Sequence, residues 1–564
     1  MNQDNGRGAV RNRLDGVVYA APEAVEDWIE KGAWLDATVG DVLRRRAELS
    51  PDAAAFIGAE RTVTFRELDE ESERLGAGLL DLGFAPGDRI VVQIGTTIET
   101  VIAVCALYKS GLVPVCAIPQ YREIEIGQLI ALSGARGHLV QADFGSFDLP
   151  AFAGRMRSQH PQIAHVLTLR GARPEVGPDL ADVAARLSFA DARARLATVP
   201  LGSGDVLSFQ LSGGTTGVPK IIPRFHGEYL AHSLGGMRQY GFRPVDRMIW
   251  PLPLLHNAGQ LYAMIPPLVM GSSSVILPNL DIPTLFDMIE RHSVTHAISI
   301  GPIAAQILNY HDLHKHDLTS LRLFATMSGS QTLEGHLGVP CVNFYGITEG
   351  LLLGSRPGDP DLIRYGSNGA SGVASDEIRL VDPETGKPVA PGKDGELAFR
   401  GASSLKGYYG APAATAEVLG EDGFFRSGDI VRPIEADGRI GYCFQGRTRD
   451  NINRGGEKIS CEEVEAIVAR HPDVAEARLV AMPDPIYGEK GCMFVIPRPG
   501  AEALSVAALS HFLVEQGLAK FKCPERVEPI DAFPVTRVGK LDRVALRTRI
   551  RERLEIEASA ARVR

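Results

Sequence analysis

Ser212-Gly213-Gly214-Thr215-Thr216-Gly217-Val218-Pro219-Lys220 follows directly on the apolar run Val206-Leu207-Ser208-Phe209-Gln210-Leu211. A buried strand that empties into glycines, hydroxyls and a lysine can wrap a polyphosphate. Glycine lets backbone N–H groups approach the phosphates, threonine hydroxyls add donors, and the lysine adds a point charge. A Walker loop is excluded, because that pattern needs Ser or Thr after its lysine and here Ile221 follows Lys220. Taken by itself, the stretch also reads as an ordinary Gly/Thr-rich surface loop.

Outward from this loop, short apolar runs alternate with helical patterns from about residue 40 to 445. Strand-like runs are Arg89–Ile94, Val113–Ile118, Met248–Leu252, Ser274–Leu277, His296–Ile300, Leu323–Thr326 and Cys341–Phe344. Ile98, Val101, Ile102 and Cys105 keep the spacing of a buried helix face, and Leu285, Phe286 and Ile289 form another apolar stripe. This alternation predicts an α/β fold of mostly parallel sheets covered by helices, with ligands at strand ends. Glu421–Tyr442, with Asp422-Gly423 and Asp437-Gly438, reads as hairpins. Beyond Gly446–Asp450 a smaller α+β module is expected. Ser460 and Glu463 make a capping-box pair for its first helix, Arg478–Met482, Cys492–Ile496 and Arg526–Ile530 are strands, and Val506–Glu515 is a helix. The expected division is a lead-in over 1–38, a large domain over 39–448 and a small mobile domain over 449–564.

The 564 residues exceed one core. An apolar share of 45% and a charged share of 23% are those of a globular protein, and a net charge of -10 argues against nucleic acid. No stretch reaches the ~18–20 apolar residues of a membrane helix; Val101–Ile118 is broken by Lys109, Ser110, Gly111 and Pro114, and no secretory h-region opens the chain. The seven cysteines are scattered without a CxxC pair, which suits reduced thiols in a cytoplasm and excludes a cysteine-built zinc site.

Two further segments carry chemistry. In Asn343-Phe344-Tyr345-Gly346-Ile347-Thr348-Glu349, Tyr345 offers an aromatic face to a purine and Glu349 a hard oxygen to magnesium, or they are a packed aromatic and a solvated carboxylate. In Arg426-Ser427-Gly428-Asp429, the aspartate of a tight glycine turn accepts both hydroxyls of a ribose, or caps the turn.

With Gly446–Ser460 and Val535-Thr536-Arg537-Val538-Gly539-Lys540-Leu541-Asp542, these segments stand in the order and spacing of the adenylate-forming (acyl-activating) superfamily, which the chain resembles from about residue 40 to 550. Leu211–Gly217, His256-Asn257, Glu349–Leu352 and Arg454–Lys458 look most like the aryl-acid AMP ligases, which activate 2,3-dihydroxybenzoate or salicylate for siderophore assembly. The resemblance implies that Ser212, Gly213, Gly214, Thr215, Thr216, Gly217 and Lys220 cover the β- and γ-phosphates of ATP. Ser328, Gly329 and Ser330 would lie against one face of adenine, with Tyr345 on the other, and Gly346 would also belong to the ATP site. Thr348 and Glu349 would sit near the α-phosphate, Glu349 with magnesium; Asp429 and Arg447 would hold the ribose; Lys540 would bridge the carboxylate and the α-phosphate; Arg449 would be the hinge. Lys540, Thr348, Glu349 and Lys220 are thus the implied catalytic set, and ATP with Mg2+ the implied cofactors.

The same resemblance places His256, Asn257, Ala258, Phe344 and Gly329 at the acid pocket. Asn257 carries both a donor and an acceptor, suited to a group ortho to the carboxylate. Ala258 replaces the usual aromatic, Gly259–Tyr262 differs from the usual small residues, and Phe344 replaces a smaller aliphatic, so bulk is expected to move from 258 to 344. An ortho-substituted benzoate ranks first. Too few residues follow Lys540 for a fused carrier domain, so the expected acyl acceptor is the phosphopantetheine thiol of a stand-alone aryl carrier protein, with coenzyme A the alternative. A monomer or homodimer is expected. The non-enzyme alternative, an inactive nucleotide-binding homologue, is disfavoured by the retention of Lys220, Glu349, Asp429 and Lys540.

Overall fold

A computed structural model describes residues 6–212, 220–300, 303–447, 452–454, 457–459, 461–484, 487–501, 503–516, 518, 520–535 and 541–562. The chain divides into two compact units. The larger comprises Met1–Ile378, Phe399–Arg426 and Ile434–Tyr442; the smaller comprises Arg379–Ala398, Ser427–Pro433 and Cys443–Arg564. The smaller unit therefore takes in two short segments, and the residues just before 449, that the sequence reading assigns to the large domain.

Two sheets build the larger unit. The first runs His165–Leu169, Gly137–Gln141, Arg89–Gln93, Val113–Cys116, Val206–Leu211 and Ile221–Phe225. Its pairings are parallel until the last, where Val206–Leu211 and Ile221–Phe225 form an antiparallel hairpin with Leu211 opposite Ile221. The Gly/Thr-rich segment therefore links two antiparallel strands, whereas a Walker loop links a strand to a helix. The second sheet has nine strands. Its parallel centre runs from Ala54–Ile57 through Ser273–Ile276, Arg247–Trp250, His296–Ser299 and Leu323–Thr326 to Cys341–Gly346. Leu352–Gly354 and Ala370–Ser371 extend it antiparallel.

The strands coincide with the apolar runs to within one or two residues at each end, because a run buried on both faces of a sheet has no polar alternation to interrupt it. The helix Ile98–Ser110 buries every residue except Glu99. A helix apolar on all sides belongs between layers; Thr97 caps its start and Gly111, at φ 72°, ends it. Lys109 is tolerated there because its ammonium meets Asp69 and lies 3.5 Å from Glu73.

In the smaller unit, Val474–Asp484, Gly488–Pro497 and Arg526–Pro529 lie in one sheet with Ile452–Arg454 and Glu457–Ile459. The helices Cys461–Val468 and Val506–Glu515 contribute Val464, Leu509 and Leu513 to its core. Ser460 lies outside the described residues, and Glu463 pairs with Lys522 at 2.6 Å. The expected hairpin turn at Asp437-Gly438 is present, both residues having positive φ (51° and 71°) between the strands Phe425–Ala436 and Arg439–Arg447. One expectation is corrected: Arg426–Asp429 is part of the strand Phe425–Ala436, with Gly428 at φ 73° making a kink within it, not a closed turn.

Candidate active site

The base of the Gly/Thr loop is closed by two bonds: the Ser212 amide donates to the Lys220 carbonyl at 3.0 Å, and the Lys220 amide to the Ser212 hydroxyl at 3.1 Å. Gly213, Gly214, Thr215, Thr216 and Gly217 lie outside the described residues. The Lys220 ammonium stands 4.7 Å from the centre of the Tyr408 ring, and the Tyr408 hydroxyl donates to Glu349 Oε1 at 2.9 Å. A cation of the loop and the carboxylate of the second motif thus meet through one phenol that sequence reasoning missed. The Gly407-Tyr408-Tyr409 triplet was its only signal.

Glu349 sits in a tight turn held from below. The Gly350 amide donates to the Ile347 carbonyl at 3.0 Å, and Gly350 takes φ 121°. A Cβ at Gly350 would fall 1.7 Å from the Ser403 carbonyl oxygen, so only glycine fits. The Leu405 amide donates to the Glu349 carbonyl at 2.7 Å, and the Ser403 hydroxyl to the Gly350 carbonyl at 2.8 Å. Arg224 Nη1 donates to the Thr348 carbonyl at 3.3 Å while Nη2 pairs with Glu228. Both partners are fully buried, Arg224 being 1% exposed.

Charges crowd this floor. Burial holds the Glu228 carboxyl above its ordinary range even with Arg224 beside it. Burial also brings the Lys406 ammonium down to about 8 and raises the Asp376 carboxyl to about 7. The His232 imidazole is driven well below its usual value by burial and by Arg224.

Two asparagines tie the neighbouring strand ends together. Asn343 Oδ1 accepts from the Ser330 amide at 3.1 Å, and Asn368 Nδ2 donates to the carbonyls of Met327 and Phe344, both at 2.9 Å. Ser328 and Gly329 are exposed and Ser330 buried, with Gly329 at φ 72° and open space where its Cβ would be. Tyr345 is buried; Gly346 is exposed. Phe344 alternates with Tyr345 along the strand, so it faces the opposite side; its ring meets Tyr262 edge-on at 5.9 Å.

His256 is exposed and caps a short turn, its Nδ1 accepting from the Ala258 amide at 3.3 Å. Asn257 is buried, and its Oδ1 accepts from the Tyr229 hydroxyl at 2.7 Å. One lone pair of Oδ1 is thus engaged, and Nδ2 has no hydrogen-bond partner among the described residues. Ala258 is half-buried. The bulk expected at Phe344 is joined by Tyr262, which lies on a π-helical segment, Gln260–Met264, held by Tyr108 donating to Gln260 Oε1 at 2.8 Å. Such irregular turns recur at functional sites.

In the smaller unit, the Asp429 amide donates to the Ser427 hydroxyl at 3.1 Å, and Ser427 donates to the Leu397 carbonyl at 2.8 Å. Asp429 is buried. Arg447 ends the strand Arg439–Arg447; Arg449 and Lys540 lie outside the described residues. Among the described residues no group of three or more His, Cys, Asp or Glu is arranged to hold a metal. Magnesium on a nucleotide needs only one or two carboxylates besides phosphate oxygens, so Glu349 fits it as a single ligand.

Residues 43–409 match the AMP-binding enzyme family and 463–540 its C-terminal domain. The chain is 34% identical over 556 residues to a 2,3-dihydroxybenzoate-AMP ligase of Bacillus subtilis, covering 96% of this chain and 99% of the relative. Among solved structures it is similar to Mycobacterium smegmatis MbtA in its apo form (31% identity, 94% and 98% coverage, TM-score 0.71). It is also similar to the anthranilate CoA ligase AuaEII in complex with anthranoyl-AMP (25% identity, 93% and 98% coverage, TM-score 0.81). The glycine–threonine loop, the Thr348–Glu349 turn and these matches over nearly the whole length agree: the chain belongs to the AMP-binding enzymes, the adenylate-forming ligase superfamily.

Proposed function

We propose that this ligase activates an ortho-substituted benzoate, of the salicylate or 2,3-dihydroxybenzoate type, as its acyl-AMP and passes the acyl group to a phosphopantetheine thiol. The observation that carries the reading is the cluster in which Lys220, Tyr408, Glu349 and the Arg224-bound Thr348 turn converge in one unit, with Asn257 tied to the same floor through Tyr229.

In the proposed reaction a carboxylate oxygen bonds to the α-phosphorus as the bond to pyrophosphate breaks. Two anions must approach, so catalysis rests on positioning and on cations already in place. Lys220 and the loop amides take the β- and γ-phosphates. Thr348 and Glu349 are assigned to the α-phosphate, where Glu349 would hold magnesium and the ion would neutralise charge. Asp429 and Arg447 hold the ribose. Lys540 is assigned to the bridge between carboxylate and α-phosphate, and Arg449 to the hinge.

The acyl acceptor is a stand-alone aryl carrier protein, with coenzyme A as the alternative. The free cysteines, six buried and one half-buried, fit a reducing cytoplasm. Among the described residues no helix is long and apolar enough to cross a membrane. The test is exchange of labelled pyrophosphate into ATP across benzoate, salicylate, 2,3-dihydroxybenzoate and anthranilate. Exchange dependent on an ortho-hydroxybenzoate is expected, and silence across the panel refutes the reading. Thioester formation on free coenzyme A but not on a carrier would select the alternative acceptor.

A further inference from the structure

We propose that Tyr229 is a positioning residue that decides which ortho substituent the acid pocket accepts, by fixing the Asn257 carboxamide with its NH2 group toward the substrate. The inference rests on the assignment of Asn257 to the acid pocket.

Tyr229 lies on the helix His226–Gln239 and is fully buried. Its hydroxyl has one proton to give. Two oxygens of Asn257 are within reach, Oδ1 at 2.7 Å and the backbone carbonyl at 3.5 Å, and the shorter bond takes it. With the amide reversed, the hydroxyl would be left donating to an oxygen at 3.5 Å, which is no bond of consequence. The observed orientation is therefore the one that gives the hydroxyl proton its short acceptor, and it leaves the Asn257 NH2 group for a bound acid.

The phenol is itself held. The Arg224 guanidinium lies 5.3 Å from the centre of its ring, and the same guanidinium holds the Thr348 carbonyl at 3.3 Å. Tyr229 thus stands on the scaffold that shapes the Thr348–Glu349 turn.

An Nδ2 donor needs an acceptor across from it. The oxygen of an ortho hydroxyl accepts readily. The nitrogen of an ortho amine has its lone pair drawn into the ring and accepts poorly, and an unsubstituted position accepts nothing. A buried donor left unpaired is what makes such sites discriminate strongly. The pocket is therefore selective for ortho oxygen over ortho nitrogen.

The experiment compares kcat/KM for salicylate, anthranilate and benzoate in pyrophosphate exchange, using the full-length enzyme, Tyr229→Phe and Asn257→Asp. The wild type is expected to prefer salicylate over anthranilate by about 100-fold or more. Tyr229→Phe keeps the ring and frees the amide to rotate, so this ratio is expected to fall about tenfold, the energy of one neutral hydrogen bond, with KM for ATP unchanged. Asn257→Asp has no NH2 group to present, and its preference is expected to swing toward the amine. A purely structural Tyr229 would lower all three acids equally; that result, or a wild-type preference for anthranilate, overturns the inference. Exchange with none of the acids would instead sink the functional reading beneath it. Should Tyr229→Phe fold poorly, the swing or its absence in Asn257→Asp decides.

Discussion

Replacing Arg224 by Met removes the guanidinium while keeping an unbranched side chain that fills much of the same space. Arg224 and Glu228 are both buried, with side chains 1% and 3% exposed, so the substitution strands a carboxylate in the interior. Breaking a buried pair in this way costs about 3–5 kcal/mol. The nearby Lys406 ammonium still attracts Glu228, which places the expected loss near the lower end. The lost charge has a pH signature. Burial already holds Glu228 above its ordinary value, and without Arg224 its folded pKa rises further. The folded protein then binds more protons than the unfolded chain, so stability falls as pH rises from the unfolded value toward the folded one, by up to about 1.4 kcal/mol per pH unit. Urea unfolding at pH 6 and pH 8, followed by a probe within the larger unit, measures both effects. Arg224→Met is expected to lose about 3 kcal/mol at pH 8 and less at pH 6, and Glu228→Gln in that background is expected to restore most of the loss. A loss under about 1 kcal/mol at pH 8, or no recovery in the double variant, refutes the reasoning.

Glu349→Gln keeps an oxygen for the Tyr408 hydroxyl and removes the anionic ligand; melting temperature is expected to hold while pyrophosphate exchange falls by about 10²–10³-fold, and exchange within twofold of wild type contradicts its role. Lys540→Ala is expected to abolish nearly all adenylate formation while leaving ATP binding intact, as read by exchange and nucleotide titration; equal losses in both would assign Lys540 a different part. Asp376, raised by burial to about 7 from an ordinary 3.8, holds its proton in the folded state, so its contribution weakens stability as pH rises from about 4 to 7 and is constant above. Asp376→Asn is expected to flatten the stability profile across that window; an unchanged slope in denaturation at pH 5 and 7.5 contradicts this.

The apolar runs were legible as strands because burial on both sheet faces leaves an uninterrupted signal, and the helix Ile282–Arg291 was legible from its stripe. The strand Ile221–Phe225 was not expected. Pro223 weakens its β signal, and it lies at the sheet edge, where the hairpin partner supplies the bonds. The polar floor of the site was also missed. Periodicity says that Arg224 interrupts an apolar run but not that Glu228, four residues on, will neutralise it inside the protein; that spacing was the available clue. Tyr229, Tyr408 and Asn368 act through partners about 25 to 60 residues away in the chain, and such pairings exist only once the sheets are assembled. The Gly/Thr motif itself was legible because its glycines, hydroxyls and lysine stand together in unbroken sequence.

The decisive measurement is the fate of ATP when the enzyme, magnesium and salicylate are mixed with no thiol acceptor. A single turnover, quenched and resolved by mass spectrometry, is expected to yield salicyl-AMP and pyrophosphate in equal amounts, close to one per active enzyme. Formation of ADP and phosphate, or an AMP adduct that appears equally without the acid, would contradict it.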